Sequence, residues 1–248
     1  MYTRGARIGL SAIMALSALA VSGRADNLVT NGSFEITTAG SGQLNYNTVA
    51  PGWTTDGYNF IFAAGTSDDL GTSGSVGQYG SLWLWGPGDG SANGLPAASP
   101  DGGNFLAADG AFQVGAIQQT IDGLTAGDSY TVGFWWAAAQ QYTFDGDTTE
   151  QWQVSLGAQT QSTVVQANPS HGFSGWMYQT FTYTADSASE VLSFLSIGTP
   201  NGVPPFALLD GVSLDASAPE PSSLVLMLGV LGVAGSLRGW RLKKRPQR

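Results

Sequence analysis

The chain has 248 residues, with 18 Asp and Glu against 9 Lys and Arg, a single histidine and no cysteine. The lack of cysteine excludes disulfides, thiolate nucleophiles, and zinc or iron–sulfur sites built on sulfur. Every Lys and Arg lies in residues 1–25 or from Arg238 onward, whereas every acid except Glu220 lies in residues 26–218. A body without cations does not neutralise phosphates, which argues against nucleic-acid binding and phosphoryl transfer and leaves neutral sugars and divalent cations as ligands.

Residues 1–25 have the order of a secretory signal peptide. A basic start at Arg4 and Arg7 precedes an apolar run over residues 8–21, and small residues follow before Asp26. This order predicts a signal helix that signal peptidase removes during export. The alternative, an amphipathic first helix of the domain, is disfavoured because the run is apolar on all sides.

Residues 26–218 predict one all-β domain, an antiparallel β-sandwich, because short aromatic and β-branched segments alternate with Gly, Asn and Asp turns. The predicted strands cover residues 58–62, 79–85, 104–107, 114–121, 130–137, 152–156, 163–166, 176–184, 191–197 and 206–214. Segments 65–77 and 86–103 are rich in Gly, Ser, Asp and Pro and predict long surface loops. Trp135 and Trp136 are adjacent, so only one of them is expected to face the core.

The stretch Asn-Leu-Val-Thr-Asn-Gly-Ser-Phe-Glu at residues 27–35 resembles the opening strand of jelly-roll, galactose-binding-like domains. This group holds many non-catalytic carbohydrate-binding modules and related bacterial surface proteins. Residues 51–53, 103–107, 117–127 and 208–214 fit the same pattern. The resemblance implies a jelly-roll fold for nearly the whole body.

The same resemblance implies a structural calcium. In such domains a Glu of the opening strand and an Asp of the last strand often hold the ion, and the matching residues are Glu35 and Asp210. Calcium takes six to eight oxygen ligands, so backbone carbonyls would complete the set. The alternative is that both are ordinary solvated carboxylates at strand ends.

Trp83 and Trp85 are candidate sugar-binding residues. They are two residues apart on a predicted strand, so their side chains share one face while Leu82 and Leu84 share the other. If the leucines point inward, the two indoles form a platform that stacks on sugar rings. The reverse orientation places the indoles in the core.

Two acidic stretches and the lone histidine complete the candidates. Residues 145–150 gather three carboxylates, and Asp68 and Asp69 lie in another loop; both are interpreted as solvated, because neither fits an EF-hand or a facing glycosidase pair. His171 is interpreted as a surface-loop residue whose replacement by alanine leaves any activity intact, because no nucleophile elbow surrounds a serine.

The C-terminal residues 219–248 have the form of a sorting signal. Pro219, Glu220 and Pro221 precede the uncharged segment 222–237 and a basic tail. As a transmembrane helix, this segment would be roughly 24 Å long, which is short for a bilayer core, with the basic tail cytoplasmic. The arrangement resembles the PEP-CTERM sorting signal, which implies a Gram-negative bacterium, cleavage by an exosortase at the inner membrane, and a link to exopolysaccharide.

These features together predict an exported, exosortase-sorted protein of the cell surface or extracellular matrix. We expect it to be non-catalytic and to bind or organise extracellular polysaccharide. One alternative is a calcium-stabilised structural surface protein that binds no glycan. A third is a secreted glycoside hydrolase, which would need two carboxylates facing each other across a cleft.

Overall fold

A computed structural model describes residues 27–217, and the regular secondary structure of this part of the chain is almost entirely antiparallel strand. The predicted all-β class is therefore confirmed. The predicted helices at residues 1–25 and 222–237 and the motif at residues 219–221 lie outside the described residues. Within residues 27–217, no helix has the length and apolar character needed to cross a membrane.

The described strands are numbered in chain order. They are β1 Gly42–Gln43, β2 Asn59–Phe62, β3 Ser75–Gly77, β4 Gly80–Leu82, β5 Phe105–Asp109, β6 Ile117–Asp122, β7 Ser129–Gln140, β8 Thr148–Leu156, β9 Gln159–Ser162, β10 Gln166–Asn168, β11 Met177–Thr184, β12 Ser189–Thr199 and β13 Pro205–Ala216. A 3-10 turn covers Pro87–Asp89.

Two antiparallel sheets form the sandwich. One has the order β1-β2-β5-β13-β7-β11, and the other has the order β10-β8-β12-β6 with β9 also paired to β8. Strands β6, β7 and β8 lie in alternate sheets, as do β10 to β13. This alternation is the predicted jelly roll.

The main core lies between the sheets and follows from the period-two pattern of the strands. On β7, Val132, Phe134 and Trp136 point inward against Trp152 and Phe194 of the opposite sheet. Each fully buried large apolar side chain contributes about 1.5–3 kcal/mol to stability. Trp135 is only half-buried on the outer face, so the expectation that one of the two adjacent tryptophans faces the core is confirmed.

The six-stranded sheet is also buried on its outer face. Phe60 and Phe105 point away from the partner sheet and pack with Leu82, Leu84 and Leu95. Leu82 and Leu84 lie in the predicted strand 79–85, whereas Leu95 lies in segment 86–103 and β3 begins at Ser75 in segment 65–77. The prediction of surface loops is therefore wrong at Leu95 and at β3. A sheet face lined by phenylalanine needs an apolar cover, and the leucines provide it despite the Gly- and Ser-rich composition around them.

Two predicted strands are also corrected. Residues 27–35 form turns, with positive φ at Asn31 and Phe34, although Leu28 still donates a backbone hydrogen bond to Leu214 on β13. The predicted strand 163–166 is interrupted, and β9 and β10 lie in succession along β8 on either side of the interruption. There the Thr163 hydroxyl accepts a hydrogen bond from the Trp152 amide, and the chain turns outward.

Glu150 is fully buried between the sheets, so the interpretation of residues 145–150 as a solvated loop is wrong at this position. The physical reason is alternation along β8, which turns Thr148, Glu150 and Trp152 inward together. The Thr148 hydroxyl donates to Glu150 Oε1 at 2.5 Å, and Oε2 has no hydrogen-bond partner among the described residues. Desolvation by burial raises the pKa of Glu150 to about 8.

A stability measurement against pH tests this burial. The folded protein holds a proton on Glu150 between the ordinary carboxyl pKa of 4.5 and about 8, whereas the unfolded chain releases it. The free energy of unfolding therefore falls as pH rises through this window, by up to about 1.4 kcal/mol per pH unit from this group. We expect Glu150→Gln to remove this part of the slope in denaturant titrations, and an unchanged slope would contradict the buried acid.

Candidate functional site

A pocket of about 280 Å³ opens at one end of the six-stranded sheet. It lies where β2 and β13 begin and β5 and β7 end, and the tip of the β3–β4 hairpin closes one side. Four aromatic rings line it, with one carboxylate and two amide side chains. We call it the aromatic pocket; its side chains include Tyr58, Tyr79, Asp109, Phe112, Gln141, Phe144 and Asn201.

Three of the rings pack against one another and form a continuous apolar wall. The centroid of Tyr58 lies 5.3 Å from that of Phe112 and 5.9 Å from that of Tyr79, and the latter two are 5.8 Å apart. Tyr58 is buried, whereas Tyr79 and Phe112 are 65% and 41% exposed. Mutual packing holds the exposed rings in place, so the wall is preformed for a flat apolar ligand face.

Asp109, at the end of β5, is the charged group of the aromatic pocket and is only 2% exposed. Its Oδ1 accepts hydrogen bonds from the amides of Ala111 and Phe112, at 2.8 and 3.0 Å. Its Oδ2 is buried and has no hydrogen-bond partner among residues 27–217. Desolvation raises the pKa of Asp109 to about 6 despite the two amides, and raises the pKa of Tyr58 to about 12, with the Asp109 charge as the second cause.

Hydrogen bonds fix the outer rim on the hairpin side. The Gln113 amide donates to the Tyr79 hydroxyl at 3.1 Å, and Gln78 donates to Gln113 at 2.6 Å. The aromatic pocket could not be predicted from the sequence, because its residues come from five separate segments that share no motif. The one local signal was an aspartate at the end of an apolar strand, followed by a glycine and a nearby aromatic residue at 109–112.

The predicted calcium residues are brought close together. Glu35 is exposed and folds against Gly103, where a Cβ atom would overlap the carboxylate, and Glu35 Oε1 accepts a hydrogen bond from the Asn104 amide at 2.8 Å. Asp210 is fully buried at a β-bulge, where Gly211 has a φ of 58°. The interpretation as two solvated carboxylates therefore fails for Asp210.

Negative charge surrounds Asp210. Burial raises its pKa to about 8, and the charges of Asp101 and Glu35 add to the rise. Ser99 donates to Oδ2, while Oδ1 is buried without a partner in the described part of the chain. Within residues 27–217, no group of three or more Asp, Glu or His side chains suits a metal ion. Hydroxyl, backbone or water oxygens would therefore have to complete a calcium shell around Glu35 and Asp210.

Leu82 and Leu84 point inward, which settles the orientation of Trp83 and Trp85. Both indoles are half-buried, and each is held by its own contacts. Trp83 donates from its ring nitrogen to the Asp69 carbonyl at 3.1 Å, and Trp85 donates to the Phe144 carbonyl at 2.9 Å. Because the ring of Trp85 also stacks on His171, the two indoles do not form an open shared platform.

His171 lies in a loop, as expected, but its ring is engaged. The imidazole stacks on Trp85 at 3.8 Å between centroids, and Nε2 lies 2.5 Å from the exposed Asp145 carboxylate. Its backbone amide also donates to the buried Gln140 side chain at 2.6 Å. These contacts connect the loop of His171 to the loops that carry Trp85 and Asp145. His171 does not line the aromatic pocket.

Comparisons with known proteins give distant likenesses. No family model matches the chain. Halomucin of Haloquadratum walsbyi is 30% identical over 202 residues, which is 80% of this chain but only 2% of halomucin.

Solved structures with similar folds include TmCBM61 in complex with β-1,4-galactotriose, with 18% identity and a TM-score of 0.43 over 77% of this chain and 99% of that one. The CBM22-1 xylan-binding domain of Xyn10C from Paenibacillus barcinonensis has 12% identity and a TM-score of 0.38, covering 78% and 96% of the two chains. The K1 cleaved adhesin domain of Lys-gingipain from Porphyromonas gingivalis has 10% identity and a TM-score of 0.41, covering 75% and 96%. At TM-scores below 0.5 these likenesses say nothing about the ligand of this chain.

The aromatic pocket is suited to binding. Exposed aromatic rings stack on the C–H faces of sugars. The pocket lining also contains one carboxylate, Asp109, and the amide side chains of Gln141 and Asn201. This combination of flat apolar surface and a few polar groups is typical of a ligand-binding site.

Proposed function

We propose that the protein is an exported, non-catalytic surface or matrix protein that binds extracellular polysaccharide in the aromatic pocket. The observation that carries the proposal is the exposed pair Tyr79 and Phe112 beside the buried, unpartnered oxygen of Asp109. The pocket volume of about 280 Å³ is close to the lower end of ordinary ligand sites, which suits one or a few sugar rings.

Substitution of the exposed rings tests the site. We expect Tyr79→Ala combined with Phe112→Ala to weaken binding of the best ligand from a soluble polysaccharide panel by at least about 10-fold, or about 1.4 kcal/mol, because stacking is lost. Isothermal titration calorimetry measures the change. Tyr46→Ala is the matched control, because Tyr46 is 62% exposed and lies outside the aromatic pocket. If Trp83→Ala removes binding and the double variant does not, the assignment of the site is wrong.

Export and sorting form the second part of the proposal. The signal-peptide pattern at residues 1–25 and the Pro219-Glu220-Pro221 pattern before segment 222–237 support it. In this account, signal peptidase and an exosortase are the processing partners. The acidic body then lies outside the inner membrane, either anchored or released.

Processing of the C-terminus tests the sorting proposal. In a Gram-negative host that contains an exosortase, we expect mass spectrometry of the exported protein to find a C-terminus close to residues 219–221. Glu220→Ala should leave the C-terminal segment attached, because it alters the recognised motif without changing the apolar helix or the basic tail. The same C-terminus in both proteins would contradict this role of the motif.

A calcium ion held by Glu35 and Asp210 is a third proposal, and the buried Asp210 oxygen without a partner favours it. The ion would neutralise Asp210 and the nearby charges of Glu35 and Asp101. It would thereby join the turn at residues 27–35 to β13. A structural surface protein without glycan binding would share this feature.

Thermal melts in EDTA and in calcium test the ion. Calcium at about 100 times its dissociation constant should stabilise the protein by about 3 kcal/mol and raise the Tm by roughly 5–10 °C. Asp210→Asn should remove the shift. Glu150→Gln is the matched control, because Glu150 is a buried carboxyl elsewhere in the sandwich and should leave the shift intact. Equal melts with and without calcium in the unmodified protein would overturn the proposal.

A further inference from the structure

We propose that the aromatic pocket prefers a glycan that carries protonated amino sugars over a neutral or acidic one. This inference rests on the proposed function, because it names the class of ligand for the same site. It is carried by three features of the described residues: the charge of the body, the position of Asp109 and the composition of the pocket wall.

The body of the protein attracts cations without a competing positive charge. There is no Lys or Arg between Ala25 and Leu237. His171, the one remaining basic side chain in residues 27–217, lies against Asp145 outside the pocket lining. A cationic ligand therefore meets attraction at long range, and a uronic acid meets repulsion.

Asp109 gives the attraction a fixed position. Its Oδ1 accepts hydrogen bonds from the amides of Ala111 and Phe112, and its Oδ2 is buried without a partner in the described residues beside the pocket. No Lys or Arg of residues 27–217 offsets this charge, so it attracts an ammonium group held in the aromatic pocket through the low-dielectric surroundings. Burial that raises the pKa of Asp109 to about 6 agrees with a carboxylate that lacks a compensating charge.

The wall of the aromatic pocket suits the same group. Tyr58, Tyr79, Phe112 and Phe144 line the space next to Asp109. A cation close to the face of an aromatic ring is attracted by the ring quadrupole. The sugar ring still stacks on Tyr79 and Phe112, so the amine adds to the recognition of the ring rather than replacing it.

The test uses three ligands with the same β-1,4-glucan backbone that differ only at carbon 2: cellotetraose, the glucosamine tetramer and the N-acetylglucosamine tetramer. Calorimetric titrations of the full-length protein are made near pH 7, where the amine is partly protonated and Asp109 is largely ionised. We expect the glucosamine tetramer to bind at least about 10-fold tighter than the other two. The difference should shrink as salt rises from about 0.02 to 0.5 M.

Asp109→Asn is the informative variant, because the asparagine oxygen still accepts from the two amides while the charge is lost. We expect it to abolish the preference for the glucosamine tetramer, with circular dichroism melts confirming the fold. Asp145→Asn, which removes an exposed acid outside the pocket lining, is the matched control and should retain the preference.

Three results overturn the inference. Equal binding of the three tetramers removes the preference while leaving saccharide binding in place. If the preference survives Asp109→Asn, it comes from the overall negative charge of the body and not from the aromatic pocket. If none of the tetramers binds but a neutral polysaccharide of the panel does, the inference fails and the proposed function stands. If no glycan of either set binds, both the inference and the proposed function fail.

Discussion

Buried carboxylates without cationic side chains are the constraint on which the structure depends. Asp109, Glu150 and Asp210 are each at least 98% buried, and each has one oxygen without a hydrogen-bond partner among residues 27–217. In most proteins, Arg or Lys neutralises such a group, but the sequence has neither between Ala25 and Leu237. An unpaired charge in a low-dielectric interior is costly, so each of these groups needs another source of neutralisation.

The position of each carboxylate in the sandwich indicates a different source. Glu150 lies between the sheets, where a proton is the simplest way to remove its charge, in keeping with its raised pKa. Asp210 lies beside Glu35 and Asp101, a concentration of negative charge that favours a divalent cation. Asp109 lies at the aromatic pocket, where the positive charge of a bound ligand would offset its own. The same constraint therefore links the stability, calcium and ligand proposals.

The strands could be predicted where the side-chain period decides burial, and the site could not. The alternation of side chains over residues 176–184 predicts β11. Because Trp135 and Trp136 are neighbours on one strand, only one of them can face the core. Composition was a poor guide elsewhere. The Gly- and Ser-rich composition of residues 86–103 gave no sign of the buried Leu95, which helps to cover the outer sheet face. The acidic run at 145–150 likewise gave no sign that Glu150 points inward on β8. The aromatic pocket depends on chain segments that meet only through the sheet order.

Site-resolved carboxyl NMR is the most direct test of this account. In a pH titration of the 13C-labelled protein, we predict that the Glu150 carboxyl titrates near pH 8 and the Asp109 carboxyl near pH 6, well above exposed acids. Addition of calcium should move the Asp210 and Glu35 resonances and leave Glu150 unchanged. Titration of all the Asp and Glu carboxyls below about pH 5, with no response to calcium, would contradict the central claim.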